Sequence, residues 1–248
     1  MTLACFSFRS GIELRIRGII VKIIKVLVCC TLVALLAQSA LAQKTKAHAS
    51  STSLTRTEIN QARARLAELG YNKGGLIAFQ KYEGRKPTGR LTRPEFDAIM
   101  EAAAPQAKDS GYKHVEVDLD RQVLLLVDDD GAVKSVLPVS TGSNKHYSQN
   151  GMSGLAYTPR GRFRIYAKMS GWKKSPLGLL YYPNYFSDGL AIHGNPSVPQ
   201  SPQSHGCIRI PMSAAIQISR ELPVGTILLI YDNQSFVSAK DWAEKSGQ

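Results

Sequence analysis

The chain has 248 residues, with 31 Lys and Arg against 19 Asp and Glu, a formal net charge of +12. A hydrophobic share of 44% and a charged share of 20% exclude a disordered chain, and the length suits one large domain or a small one joined to a larger. A basic excess points to nucleic acid, an acidic membrane surface or an anionic wall polymer.

The first 42 residues narrow that choice. Arg9, Arg15, Arg17, Lys22 and Lys25 precede an apolar run from Val26 to Ala37, and Gln38-Ser39-Ala40-Leu41-Ala42 ends small-x-small before Gln43. Basic, apolar, then small is the pattern of a cleaved secretory leader. The run of 12 residues is short of the roughly 20 that cross a bilayer. Residues 1–42 are therefore read as a signal peptide, and the mature protein as exported to a periplasm or cell envelope. Export removes nucleic acid as a partner. The leader carries a net +4, so the mature chain keeps +8. It also takes away Cys5, Cys29 and Cys30, which leaves Cys207 as the only thiol. A lone cysteine in an oxidising compartment has no internal disulfide partner.

Residues 43–54 read as a linker rich in Ser, Thr, Lys and Ala. Ile59, Ala62, Leu66 and Leu69 recur at helical spacing, with Thr55 or Thr57 as N-cap and Gly70 as the stop. A second helix is predicted over Leu76 to Tyr82. A third follows Thr92 and Pro94, its inner face marked by Phe96, Ile99 and Met100. These helices form a small module over residues 55–104. It resembles a truncated peptidoglycan-binding helical module in Ala64-Arg65-Leu66-Ala67-Glu68-Leu69-Gly70-Tyr71, Ala78-Phe79-Gln80-Lys81 and Thr88-Gly89-Arg90-Leu91. Such modules carry a longer loop, with an Asp-Gly and a Gly, between the Gly-Tyr and the Phe-Gln. The resemblance implies glycan binding; a purely structural cap is the other reading.

After a linker at 105–111 the pattern changes to strands. Val115, Val117 and Leu119 alternate, Val123 to Val127 is an apolar run, and Asp128-Asp129-Asp130-Gly131 is a hairpin turn. Val133 to Val139 makes the next strand. Residues 143–157 are polar and Gly-rich and are expected to be a mobile loop. Strands follow near Phe163 to Tyr166, within Leu177 to Phe186, over Leu190 to His193 and over Val224 to Tyr231. One helix is predicted over Pro211 to Glu221, with Ala215, Ile216 and Leu222 inward and Pro211 in its first turn. The fold class is α+β: a mainly β sandwich or barrel over 112–232 with one main helix, preceded by the small helical module and followed by a tail at 233–248.

Chemistry concentrates in Ser204-His205-Gly206-Cys207-Ile208-Arg209, with Ala191-Ile192-His193-Gly194 upstream. A catalytic thiol needs a base and backbone donors for an oxyanion. His193 and His205 are the candidate bases, Gly206 allows close backbone approach, and the Gly206 and Cys207 amides are candidate oxyanion donors.

Ser-His-Gly-Cys-Ile-Arg preceded by Ile-His-Gly resembles the active-site signature of the L,D-transpeptidase (YkuD-type) family. Val117-Asp118-Leu119, Pro138-Val139-Ser140-Thr141-Gly142 and Thr158-Pro159 with Gly161 and Phe163 agree in order. The resemblance implies a β-rich cysteine acyltransferase acting on peptidoglycan stem peptides, donor and acceptor, without a cofactor. It casts Cys207 as nucleophile and His193 as general base and acid, oriented by the carbonyl of Gly194. His205, Ser204 and Gly206 support the site, and Arg209 is expected to contact a substrate carboxylate. Tyr182 and Trp172 are taken as substrate-binding aromatics, with a core role as their alternative. A monomer is expected.

Rival readings are weaker. His193, His205 and Cys207, with His146 as a fourth, could be zinc ligands, but no CxxC or HExxH accompanies them. A papain-like protease places its cysteine before its histidine. A non-catalytic wall-binding protein would leave Cys207 as inert packing.

Overall fold

The structure, a computed structural model, describes residues 53–235. The expected leader at 1–42, most of the 43–54 linker and the tail beyond Ser235 lie outside the described residues. In chain order the elements are α1 (Arg56–Glu68), α2 (Gly75–Tyr82), α3 (Arg93–Glu101), β1 (His114–Asp118), β2 (Val123–Val127) and β3 (Val133–Pro138). There follow β4 (His146–Gln149), β5 (Met152–Leu155), β6 (Gly161–Arg164), β7 (Ala167–Lys168), β8 (Trp172–Ser175), β9 (Gly178–Ser187) and β10 (Leu190–Asn195). The last are β11 (Ile208–Pro211), α4 (Met212–Glu221) and β12 (Ile227–Tyr231).

One sheet runs β3-β2-β1-β12-β6, antiparallel except for the parallel pair β1–β12. The other runs β11-β10-β9-β7, with β8 also on β9 and with β10–β11 parallel. The main core joins Val115, Val117, Leu124 and Leu126 of the first sheet to Ile192, Ile208 and Ile210 of the second and Ile218 of α4. Side chains of a strand alternate between faces, so Val123, Leu125 and Val127 point the other way. That face is covered by α1, α2 and α3 through Ala62, Leu66, Phe79 and Ile99. Burial on both faces is why β2 reads as an unbroken apolar run. The three helices thus share one core with the sheet.

The helix ends follow local chemistry. Thr55 and Glu58 form a capping box, and Gly70 takes φ +86° just past the end of α1, where a Cβ would be strained. Lys81 on α2 is buried, and its Nζ donates to the Val139 carbonyl at 2.8 Å. Burial pushes that amine down to about 8. The bond ties the helices to the segment that follows β3. Under β1, the buried Glu116 carboxylate accepts from the Lys108 and Asp109 amides and from Tyr231 Oη, and His114 Nε2 lies 3.1 Å away. This set explains why polar His114 and Glu116 are buried on one face of β1.

Three expectations need correction. Residues 143–157 are not a loop: β4 and β5 pair as a two-stranded hairpin. The ribbon buries little on either face, so its sequence lacks the alternation that marks a strand. Ile216 is 37% exposed, and α4 instead buries Ala214, Ala215 and Ile218, a face that Ile216 cannot share at about 100° per residue. Met100 is 43% exposed, because Ile99 takes the inward position on α3.

Candidate active site

Cys207 lies one residue before β11. The parallel register Ile192↔Ile208 and His193↔Arg209 sets Ala191 of β10 beside it, and a backbone hydrogen bond from Ala191 reaches its thiol. Two neighbouring parallel strands therefore bring together residues fourteen apart in sequence. Cys207, His193, His205, Ser204 and Arg209 line one cleft of about 320 Å³.

The turn before Cys207 is fixed by a dense set of hydrogen bonds. Ser140 and Arg209 exchange both backbone bonds, at 3.1 and 3.0 Å. The Ser204 amide donates to Thr141 O at 2.9 Å, and Ser204 O accepts from the Ser143 amide at 3.0 Å. The Ser-Thr-Gly after β3 is thus a backbone clamp on the Ser-His-Gly-Cys turn. Inside the turn, Ser204 Oγ donates to Cys207 O at 2.5 Å and accepts from the Gly206 amide at 3.0 Å. Thr158 Oγ1 donates to Gly206 O at 2.7 Å. Gly206 sits at φ +136°, and a Cβ there would stand 2.7 Å from Tyr157 O. Only glycine fits. Because Ser204 occupies the Gly206 amide, that amide is not free to hold an oxyanion, and the Cys207 amide becomes the candidate donor of this turn.

His193 is 3% exposed, and its Nδ1 lies 3.0 Å from Gly194 O. A carbonyl can only accept, so Nδ1 carries the proton and Nε2 keeps its lone pair. Burial pushes the imidazole down to about 4, against the Gly194 bond; the Arg209 charge lowers it further. Burial also pushes the Cys207 thiol above its ordinary range, opposed by the Ala191 bond and by Arg209. Both shifts leave the proton on sulfur at neutral pH. Both groups are thus held toward their neutral forms, a thiol and an uncharged imidazole. Alkylation of Cys207 by iodoacetamide, followed by intact mass, is accordingly expected to accelerate with pH toward a midpoint above that of an ordinary cysteine. A flat reactive plateau between about pH 5 and 8 would mark a thiolate–imidazolium pair and contradict this.

His205 is half-buried and meets Tyr147 of β4 edge to face at 4.7 Å. Tyr147 and Met152 bring the β4–β5 hairpin into the lining of the cleft. The tip of that hairpin reaches the β8–β9 turn, where Asn150 Nδ2 donates to Pro176 O at 2.9 Å.

Tyr182 and Trp172, expected to bind substrate, do not line this cleft. Tyr181 pairs with Gly194 and Asn184 with Ile192, so two residues of β9 stand opposite His193. At this bulge Tyr182 takes φ +48° and turns toward Lys168, Ser219 and Arg220. Trp172 packs on Tyr181 at 4.8 Å and is half-exposed. Sequence reading missed Tyr147, Met152, Asp188 and Leu190, which do line the cleft. The Asp-Gly at 188–189, between two expected strands, was the available signal. Among the described residues no three His, Cys, Asp or Glu side chains converge as a metal site.

The L,D-transpeptidase catalytic domain of the YkuD family matches residues 112–230. The crystal structure of an L,D-transpeptidase from Xylanimonas cellulosilytica is 32% identical over 73% of this chain and 95% of that chain, with a TM-score of 0.65. That share of the chain is larger than the 112–230 segment, so the match extends beyond the catalytic domain. An L,D-transpeptidase from Stackebrandtia nassauensis is 24% identical over 63% of this chain and 75% of that one, with a TM-score of 0.41. Comparison with curated proteins returned no match. The matched catalytic domain and the Xylanimonas cellulosilytica structure agree, and the chain belongs to the L,D-transpeptidase family.

Proposed function

We propose that the protein is a cysteine-dependent L,D-transpeptidase that forms 3→3 cross-links between peptidoglycan tetrapeptide stems in the cell envelope. The observation that carries this reading is the His193 Nδ1–Gly194 O contact, which leaves Nε2 unprotonated in the cleft that Cys207 also lines. Cys207 Sγ attacks the carbonyl of the L-centre of the stem diamino acid while His193 Nε2 takes the thiol proton. The tetrahedral intermediate collapses to a thioester, and His193 returns the proton to the departing D-alanine amine. A neighbouring stem amine attacks next, loses its proton to His193 and releases the thiol. The Cys207 amide holds the oxyanion, a donor of a kind worth about 10²–10³ in rate. Arg209 supplies a cation for a substrate carboxylate, and Ser204 and His205 hold the turn.

Residues 1–42 support export, and the mature charge of +8 suits an anionic wall. The shared core and the Lys81–Val139 bond support a structural role for the helices. Incubation of the mature protein with purified disaccharide-tetrapeptides, resolved by mass, tests the assignment. Cross-linked dimers with loss of one D-alanine are expected. Tripeptides alone would replace cross-linking with trimming, and unchanged tetrapeptide would reject both.

A further inference from the structure

Two opposite charges line the Cys207 cleft, and neither is neutralised. Arg209 and Asp188 both face it, and neither takes part in an ion pair among the described residues. Among the described residues Asp188 is the only carboxylate of the lining. Among the described residues its side-chain hydrogen bond is from Ser187 Oγ at 3.5 Å, too long to satisfy it.

The two charges stand on opposite sides of the thiol. Asp188 is three residues before Ala191, the neighbour of Cys207, at most about 10 Å of chain. Arg209 is two residues beyond Cys207, about 7 Å in the other direction, beside His193. The cleft is thus acidic at the β9–β10 turn and basic at the β10–β11 pair. The roof contact between Asn150 and Pro176 involves the β8–β9 turn, at the opposite end of β9 from the exposed Asp188-Gly189.

From this polarity we infer that Asp188 recognises the acceptor, and that the acceptor is a primary amine that arrives as its ammonium. The inference rests on the transpeptidase reading and assigns a side of the cleft to each substrate. An ammonium approaching a strongly basic protein, with Arg209 inside the cleft, meets repulsion. One unpaired carboxylate at the entrance reverses the sign locally and concentrates the cation near the thioester. The donor's terminal carboxylate belongs at the Arg209 end, where the same field favours it. Asp188 touches the incoming substrate without sharing in the chemistry: the ammonium gives up one proton to solvent in the cleft, and the neutral amine gives up the second to His193 as it attacks.

The test separates the two half-reactions. With disaccharide-tetrapeptide as donor and D-alaninamide as acceptor, Asp188→Asn is expected to raise the half-saturating amine concentration about threefold to fivefold. It should also flatten the dependence of that concentration on salt. The rate of thioester formation, read as D-alanine release, should not change. An unaltered acceptor saturation, or a parallel fall in thioester formation, would overturn the inference. A wild-type protein that forms no thioester would instead reject the transpeptidase reading. The acceptor site is then read by NMR titration of D-alaninamide into Cys207→Ser with and without Asp188→Asn, and equal binding would overturn the inference there as well.

Discussion

Replacement of His193 by Gln is expected to slow thioester formation on Cys207 by about 10²–10⁴, the range of a positioned general acid–base. The size follows from the resting protonation. With the thiol raised and the imidazole lowered, the neutral thiol is favoured, and on the proposed mechanism attack depends on proton removal by Nε2 as the bond forms. The variant separates this role from a structural one. Iodoacetamide at high pH meets a thiolate made by solvent, so it should still alkylate Cys207 in His193→Gln. Loss of both reactions together would mean that the cleft had collapsed, and retention of thioester formation would mean that another base serves.

The second large effect is at Gly206. An alanine there would hold φ +136°, a region open almost only to glycine, and its Cβ would press on Tyr157 O and Leu190 Cδ2. The strain amounts to about 1–3 kcal/mol, and the surrounding bonds cannot relax it without moving Cys207. Ser204 Oγ joins the Gly206 amide to the Cys207 carbonyl, so a shift of either is passed to Cys207 and its amide. Gly206→Ala is expected to lower thioester formation on the order of 100-fold, with a melting temperature reduced by only a few degrees. A variant with wild-type turnover would show that the turn tolerates displacement.

How far the sequence carried depended on how local the signal was. The apolar run 123–127 marked β2 without error because both faces of that strand are covered. Thr55 and Gly70 bounded α1 because caps are fixed by chemistry a few residues away. Cys207, His193 and Gly194 were legible for a different reason: two short parallel strands placed them, and the residue types at their ends carried the pattern. The cleft's walls were not legible. The β4–β5 hairpin buries too little to leave a periodic trace, so Tyr147 and Met152 had no signal. The bulge in β9 arises only on pairing with β10, and it turned Tyr182 away from the site that its aromatic neighbourhood suggested. The Gly206 amide was misjudged because its partner, Ser204 Oγ, is two residues away in a turn whose geometry no spacing rule specifies.

On the proposed mechanism Cys207 carries the acyl group. Brief incubation of the mature protein with disaccharide-tetrapeptide, acid quench and intact-mass measurement addresses it most directly. A hydroxylamine-labile adduct equal to the donor less D-alanine is expected, mapped to Cys207 and absent from Cys207→Ser. Cross-linked product formed by Cys207→Ser at the wild-type rate would contradict it.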